Sequence, residues 1–384
     1  MENINNLPND ILSRQRLPND ISVLIGENGS GKSTLLNLLS KYFLRTSDNV
    51  IALANSIHDK FDSKSRNFKT LRGRSGRRQT RNILKKALEV SAKGDITQNL
   101  KNISRVLTYV KFDPMIGFKV EGLKTEFNDR IQELDINHRD KEQIIFLFER
   151  LQQENRENDI IWIQLEEYNF RDFQKSILIQ LFSFESLLRR NKLINHIEVY
   201  LKKNGKEISM LNASSGELAL ITSIIYLSTI INENTVILID EPENSLHPKW
   251  QKEYVQILFD IFFYYQPKII IATHSPLIVN GAELFTDDPK IYKAHNFTLK
   301  LQKKEPLNLE ETYFRFFNIS TPQNRFLSEQ VIRLLNILAA KKITLEYFNN
   351  EINRINNTAY DPEQIKALNA VKGLATIIAE QLRN

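Results

Sequence analysis

Apolar residues recur along the chain in two patterns, as short continuous runs and as helical repeats. The runs at residues 21–25, 235–239 and 268–272 are each followed by polar residues and predict short buried strands. Helical spacing is seen in residues 35–39, directly after the first run, and again in residues 141–153 and 173–190. Around Asn204-Gly205, two alternating segments flank the favoured two-residue turn and predict a β-hairpin. The chain therefore contains both strands and helices.

A glycine-rich loop lies between the first predicted strand and the first predicted helix. Its residues are Gly26, Glu27, Asn28, Gly29, Ser30, Gly31, Lys32, Ser33 and Thr34. They match the P-loop spacing, in which backbone N–H groups and a helix N-terminus surround phosphate oxygens. Lys32 is predicted to reach the β- and γ-phosphates, and the Ser33 hydroxyl is a candidate Mg²⁺ ligand. The alternative is an ordinary glycine turn, but the spacing and its context favour a nucleoside triphosphate.

Composition adds limits on the class of protein. The 384 residues are 41% hydrophobic and 26% charged, as in soluble proteins, and allow one large domain with an insertion or several smaller ones. The absence of cysteine excludes disulfides and thiolate zinc sites. The most apolar stretch, residues 218–231, is shorter than a membrane span, and the polar first residues do not resemble a secretory signal. We therefore expect a cytoplasmic protein without a membrane partner.

Positive charge is concentrated in one segment of the chain. Residues 63–86 contain ten Lys or Arg and no Asp or Glu, so the net charge of +6 becomes −4 for the rest. Gly73, Ser75 and Gly76 predict a mobile loop that leads into a helix near Arg81. The segment is a solvated loop, a DNA- or RNA-binding site or a site for an acidic protein. Its best candidate phosphate ligands are Arg72, Arg74, Arg77 and Arg78.

Two further predicted strands end in residues suited to phosphate chemistry. Asp240 ends the strand at 235–239, where its carboxylate could hold Mg²⁺ opposite Ser33. Glu241 follows and is a candidate general base for an attacking water. His274 lies at the end of the strand at 268–272, where it could hydrogen-bond a γ-phosphate or that water. With the P-loop upstream, these residues predict nucleotide hydrolysis.

A second helix N-terminus could also bind an anion. Ser214 and Gly216 open a long apolar helix, and small residues at a helix start leave its N–H groups accessible. One triphosphate does not need two such sites, so this one is expected to serve the nucleotide of a second, identical chain. A plain capping box between Ser214 and Glu217 is the alternative.

Four motifs resemble those of ABC-type ATPases. GENGSGKST, ASSGE, LIDEPENSLHP and ATHS occur in the order of the Walker A, signature, Walker B with D-loop, and switch-histidine motifs. The resemblance implies an α/β fold, an ABC ATPase head with a mixed sheet flanked by helices, a basic helical insertion and a helical C-terminal tail. The implied domains are an N-lobe with Walker A, the insertion, a C-lobe with the other motifs, and the tail: residues 1–60, 61–194, 195–300 and 301–384.

The resemblance also implies how the site is assembled. Two heads would form a homodimer that encloses ATP and Mg²⁺. Each site would take its P-loop, Asp240, Glu241 and His274 from one chain, and Ser214 and Gly216 from the other. The D-loop residues Asn244 and Ser245 would cross the interface.

The residues within and beside two of these motifs narrow the resemblance further. EPENSLHPKWQ and ATHSPLIV are similar to the standalone ATPases of anti-phage defence, the Septu-type and retron-associated ATPases, and to the ATPase head of OLD-family nucleases. These imply a separate nuclease or toxin partner. A RecF-like DNA-repair ATPase without a toxic partner is the alternative, as is an assembly protein with structural ATP. The Q-loop glutamine of the superfamily is not evident, and Ser56, His58 and Asp59 are candidate substitutes.

Overall fold

A seven-stranded, mainly parallel sheet forms the centre of the computed structural model. The structure describes residues 7–13, 19–46, 48–55, 60–73, 76–93, 96–123, 127–153, 160–166, 177–244, 246–302, 311–313, 325–357 and 362–381. The strands of the sheet are β1 (Ile21–Ile25), β2 (Asn49–Ala54), β3 (Phe68–Arg72), β8 (Thr235–Asp240), β9 (Lys268–Ala272), β10 (Lys290–His295) and β11 (Thr298–Leu301). Their order is β11-β10-β1-β9-β8-β2-β3, and only β11 runs antiparallel to its neighbour. The loops after β1, β8 and β9 therefore lie at one edge, where ligands bind in such sheets.

A smaller antiparallel sheet contains the four remaining described strands. These are β4 (Met115–Glu121), β5 (Ile161–Gln164), β6 (His196–Lys203) and β7 (Lys206–Ser209), in the order β5-β4-β6-β7. Asn204 and Gly205 join β6 to β7, and both have positive φ, 53° and 75°. The predicted hairpin is confirmed.

Helices cover the sheets and form the C-terminal tail. They are α1 (Asn9–Leu12), α2 (Lys32–Arg45), α3 (Gly76–Lys93), α4 (Ile96–Tyr109), α5 (Phe127–Gln132), α6 (His138–Gln153), α7 (Ile177–Arg190), α8 (Ser215–Ile230), α9 (Pro248–Phe262), α10 (Pro276–Phe285), α11 (Arg325–Ala339), α12 (Leu345–Asn356) and α13 (Pro362–Gln381). The last three share a small core of their own around Val331, Phe348 and Leu368. No helix in the described ranges combines the length and apolar character that crossing a bilayer requires.

The main sheet is buried on both faces, which explains the continuous apolar runs of its strands. Val23 and Ile239 belong to a large core shared with α8, α9 and the helices of the second sheet. Leu24 follows Val23 and Leu238 precedes Ile239, and both pack into a separate core with α2. This alternation is the two-residue period of a strand. The predicted α/β class, with a mainly parallel sheet flanked by helices and a helical tail, is confirmed.

The basic segment contains more secondary structure than its sequence predicted. Residues 68–72 form β3, an edge strand that pairs in parallel with β2, and α3 begins at Gly76. The predicted loop is therefore wrong for residues 68–72 and from Gly76 onwards, whereas the helix predicted near Arg81 is confirmed. Phe68 and Leu71 are buried in separate cores on opposite faces of the sheet, while Lys69 and Arg72 face solvent. Burial of these two apolar side chains favours the strand despite the charge around them.

The predicted domain limits divide elements that the structure joins. The predicted N-lobe, residues 1–60, leaves out β3, which belongs to the main sheet. In the second sheet, β4 and β5 come from the predicted insertion, whereas β6 and β7 come from the predicted C-lobe. The insertion is therefore connected to the segment that precedes α8 by backbone hydrogen bonds between β4 and β6.

Candidate active site

The P-loop joins β1 to α2 at the ligand-binding edge of the main sheet. Gly31 caps α2 with φ 97°, and it has no side chain that could cap the first N–H groups of this helix. Those donors are therefore open to an anion. Gly26 has φ 152°, and a Cβ atom there would lie 2.8 Å from the Ala294 carbonyl oxygen. The close packing of the neighbouring strand thus requires glycine at this position.

Lys32 is held inside this loop. Its side chain is buried, and its ammonium group donates to the carbonyl oxygens of Gly26 and Glu27 at 2.9 and 3.2 Å. Burial lowers the pKa of Lys32, while the nearby carboxylates of Glu241, Asp240 and Glu243 act in the opposite direction. Carbonyl oxygens are weak partners for a buried cation. A phosphate would therefore compete well for this ammonium group.

Ser33 and Asp240 form the direct link between the P-loop and β8. The Ser33 hydroxyl donates to Asp240 Oδ1 at 3.1 Å, and Asp240 is fully buried. Mg²⁺ binds oxygen at about 2.0–2.1 Å in octahedral geometry, which puts adjacent ligand oxygens about 2.9 Å apart. The Ser33–Asp240 spacing and its hard oxygen donors fit such an ion.

Glu241 occupies a strained backbone position at the end of β8. Its φ of 51° is in the left-handed region, which non-glycine residues rarely adopt. Two hydrogen bonds hold it there, from its N–H to the Ala272 oxygen at 2.9 Å and from Asn244 Nδ2 to Glu241 Oε2 at 3.0 Å. The carboxylate remains partly exposed, as a residue that meets substrate and water must be.

His274 stands opposite this carboxylate, at the end of β9. Its Nε2 lies 3.6 Å from Glu241 Oε1. Burial lowers the pKa of His274, Lys32 lowers it further, and Glu241 raises it. The imidazole is therefore neutral at pH 7, with one ring nitrogen able to donate and the other to accept.

Glu243 is a member of this site that the sequence analysis missed. It accepts hydrogen bonds from Thr273 Oγ1 at 2.8 Å and from the His274 N–H at 2.5 Å. Burial raises the pKa of Glu243, although these hydrogen bonds lower it. The side chain thus ties the turn after Glu241 to the segment that carries His274. The only signal in the sequence was a second glutamate two residues after Glu241.

The start of α8 has different surroundings. Ser214 and Glu217 form a reciprocal capping box, with N–H to oxygen distances of 3.0 and 3.3 Å. Lys203 of β6 donates to Glu217 Oε1 at 2.6 Å. Ser214 is exposed, whereas Gly216 is buried. These contacts tie the helix start to the second sheet, and the capping box weighed as the alternative is present.

The remaining predicted residues are the four candidate arginines of the basic segment and the candidate D-loop and Q-loop residues. Arg72 ends β3, where its Nη2 donates to the Phe61 oxygen at 2.8 Å. Arg77 and Arg78 lie in the first turn of α3, and Arg74 lies outside the described residues. Also outside them are Ser245 of the D-loop and the three candidate Q-loop substitutes, Ser56, His58 and Asp59.

This chain is similar to a protein named as a probable ATPase and, more distantly, to two solved structures. The "Retron Vc95 probable ATPase" of Vibrio cholerae is 29% identical over 370 aligned residues, which cover 73% of this chain and 70% of that protein. A structure described as "An inward-facing conformation of a putative metal-chelate type ABC transporter" is 14% identical, with a TM-score of 0.30, over 79% of this chain and 80% of that one. An Smc head domain from Pyrococcus furiosus is also 14% identical, with a TM-score of 0.21, over 61% and 56% of the two chains.

A family profile matches residues 59–280, a range that begins after the P-loop and includes Asp240, Glu241 and His274. The match spans more than half of the chain. Together with the ordered motifs, it supports the resemblance to ABC-type and retron-associated ATPases. The chain belongs to the AAA_21 family, described as "AAA domain, putative AbiEii toxin, Type IV TA system".

Proposed function

We propose that this chain is an ABC-type ATPase that dimerises around ATP and regulates a separate nuclease or toxin in anti-phage defence. The family match and the relative named as a probable ATPase support ATP hydrolysis. One observation carries the proposal. A buried lysine, a serine–aspartate pair and a glutamate–histidine pair meet at one edge of the main sheet.

ATP binding would use the P-loop and the start of α2. The free N–H groups there would surround the phosphate oxygens, and Lys32 would exchange two loop carbonyls for the β- and γ-phosphates. Ser33 and Asp240 would hold Mg²⁺. A bound Mg²⁺ ion would supply positive charge next to the phosphate oxygens.

Hydrolysis would require a base and a hydrogen-bonding partner for the γ-phosphate. Glu241 is oriented by its backbone bond to Ala272 and its side-chain bond from Asn244, and would take the proton of the attacking water. His274, kept neutral by burial, would donate to the γ-phosphate or the water. Glu243 would hold the backbone of His274 in place. Positioning and electrostatics supply most of the catalysis in phosphoryl transfer.

A second copy of the chain would complete the site. Ser214 is exposed at the start of α8, where the helix dipole favours an anion. In the proposed dimer, Ser214 and Gly216 of one copy would face the γ-phosphate bound by the other. Asn244, which is exposed and bonded to Glu241, would lie at the interface and report nucleotide state to the base.

The basic segment offers a route from an outside partner to that composite site. Helix α3 packs against α8, and Thr222 Oγ1 of α8 donates to Thr80 Oγ1 of α3 at 2.7 Å. We propose that the segment at residues 63–86 binds DNA or RNA phosphates and that α3 passes the signal to α8. With five or six phosphate contacts, a plot of the logarithm of the association constant against the logarithm of the salt concentration would have a slope of roughly −4 to −5.

This part of the proposal is tested by changing Arg72, Arg74, Arg77 and Arg78 to Glu together. Nucleic-acid affinity across salt concentrations should fall and its salt slope should flatten, while basal ATPase activity stays near normal. Binding curves identical to those of the wild type would show that the segment is a solvated surface and not a nucleic-acid site. Unchanged nucleic-acid binding with loss of a co-purifying protein would assign it to an acidic protein partner.

The proposed regulatory role is tested by purification of the chain with its native genetic neighbours. A nuclease or toxin that co-elutes, and whose activity changes between ATP and ADP, would support the role. DNA-stimulated ATPase activity without a co-eluting effector would instead favour the RecF-like alternative. The relative named as a retron ATPase makes a reverse transcriptase a further candidate neighbour to look for.

A further inference from the structure

An exposed aromatic ring lies beside the P-loop in a strained backbone turn. Phe297 and Asn296 form the two-residue turn between β10 and β11, with φ of 62° and 46°. Such turns favour Asn and Gly, and a bulky residue with positive φ is an outlier. The Phe297 side chain is nevertheless 58% exposed, so burial in the core does not explain its presence.

The ring makes direct contact with the phosphate-binding loop. The Phe297 N–H donates to the Ser30 oxygen at 3.3 Å. A Cβ atom at Gly31 would lie only 2.5 Å from Phe297 Cδ1, so the ring packs over the bare backbone of Gly31. Gly31 has φ 97°, a conformation that glycine adopts without strain, and its lack of a Cβ leaves room for the ring. A fixed aromatic surface results beside the N-terminus of α2.

The strand order shows which end of a bound nucleotide this surface would meet. Strand β1, which leads into the P-loop, has β9 and β8 on one side and β10 on the other. Asp240, Glu241 and His274 all lie on the β8–β9 side, where the bond of the γ-phosphate would be broken. The nucleoside of the same ATP must leave the loop away from that group, towards the turn between β10 and β11.

We infer that Phe297 stacks on the nucleobase of the bound triphosphate. This assignment rests on the proposed function and specifies how the same site binds the other end of its ligand. Residues 1–25 contain no aromatic residue that could stack from the N-terminal side. An aromatic face attracts any planar base, so Phe297 would supply affinity for purine nucleotides without choosing between adenine and guanine.

The test compares two probes, Mg·ATP and Mg-tripolyphosphate, by calorimetric titration. Tripolyphosphate carries the phosphates without a base. In Phe297→Ala, ATP affinity should fall about tenfold, because base stacking on an aromatic is lost. Tripolyphosphate affinity should stay within about twofold of the wild type. Phe297→Trp should retain ATP affinity. Phe263→Ala, which removes another ring that is 67% exposed, is the control and should change neither.

Kinetics provide a second readout. Loss of stacking would remove binding shared by the ground and transition states, so KM for ATP should rise while kcat is unchanged. Equal losses for ATP and tripolyphosphate would show that Phe297 only supports the P-loop and would overturn the assignment. Unchanged ATP affinity in Phe297→Ala would overturn it as well.

A different result would contradict the proposed function itself. Lys32→Ala should weaken both probes, because each depends on the same phosphate contacts. If the wild type bound neither probe, or if Lys32→Ala bound both probes with the affinity of the wild type, the P-loop would not be a triphosphate site. The two failures are therefore distinguishable.

Discussion

Two helices of this chain begin with small residues suited to anions, and their surroundings differ. At the start of α2, Lys32 and the Ser33–Asp240 pair lie within reach of a bound phosphate, with Glu241 and His274 beside them. At the start of α8, the partners are a capping box and an ion pair with Lys203 of the second sheet. The first end has the chemistry for hydrolysis, and the second has only a helix terminus and an exposed serine.

The difference indicates a division of labour between the two ends. Inside its own chain, the α8 end stabilises the fold through its capping box and its bond from Lys203. In the proposed dimer, it would also add its helix terminus and the Ser214 hydroxyl to the phosphates bound at the α2 end of the second chain. The α8 end would thereby make hydrolysis depend on assembly.

The largest expected effect comes from removing the proposed base at the α2 end, Glu241. Glu241→Gln should reduce ATP hydrolysis about 100-fold or more, the usual contribution of a general base, and leave Mg·ATP binding intact. It should also retain a dimer with ATP bound. Turnover and nucleotide affinity are measured together, with Glu233→Gln, an exposed residue before β8, as the control. Wild-type turnover in Glu241→Gln would remove this residue from the role.

A smaller effect is expected from the residue that links the two catalytic segments. Glu243→Ala removes both acceptor oxygens, so the Thr273 hydroxyl and the His274 N–H lose their shared partner. We expect kcat to fall about tenfold because His274 is displaced, with little change in ATP affinity. Thr273→Val removes only one of these bonds and should cost less. Equal kcat in Glu243→Ala and the wild type would show that this linkage is not used in turnover.

The smallest effect concerns the stability of the α8 end. Burial raises the pKa of Glu217, but hydrogen bonds from Lys203 and Ser214 lower it more, so the folded pKa lies below the ordinary glutamate value of 4.5. A depressed carboxylate pKa stabilises the fold above the unfolded pKa, and this contribution is lost as pH falls through the folded pKa. Glu217→Gln should therefore cost about 1 kcal/mol at pH 7 and progressively less below about pH 4.5.

Thermal unfolding at pH 7 and pH 4 measures this difference. The Tm of Glu217→Gln should lie about 2–4 °C below that of the wild type at pH 7 and approach it at pH 4. Ser183→Ala, on the exposed surface of α7, serves as a control for a surface substitution. An equal Tm difference at both pH values would show that the charge of Glu217 does not stabilise the helix start.

Local patterns were sufficient to predict the elements that carry the chemistry. A buried parallel strand is a continuous apolar run in the sequence, and the polar residues at its end directly follow that run. Asp240, Glu241 and His274 could therefore be proposed as site residues together with the P-loop. The hairpin at Asn204-Gly205 was predictable for the same reason, since its turn depends on two residues with positive φ.

Contacts between distant segments could not be predicted in this way. Glu243 matters through bonds to Thr273 and His274, 30 and 31 positions away in the chain. Phe297 reaches Gly31 because β10 lies beside β1, a neighbour relation that the sequence pattern does not specify. The strand β3 was missed because its charged residues dominated the pattern, and because Phe68 and Leu71 are three positions apart and are buried on opposite faces of the sheet.

The central claim, that the α2 and α8 ends of two chains form one site, is tested most directly by mixing two inactive variants. Ser214→Arg blocks the α8 end and Glu241→Gln removes the base, so each homodimer should hydrolyse ATP poorly. A mixed dimer would contain one site with an intact Glu241 from one chain and an intact Ser214 from the other. The account predicts that turnover rises on mixing, with a maximum near equal amounts. Activity that never exceeds that of either variant alone, at any ratio, would contradict it.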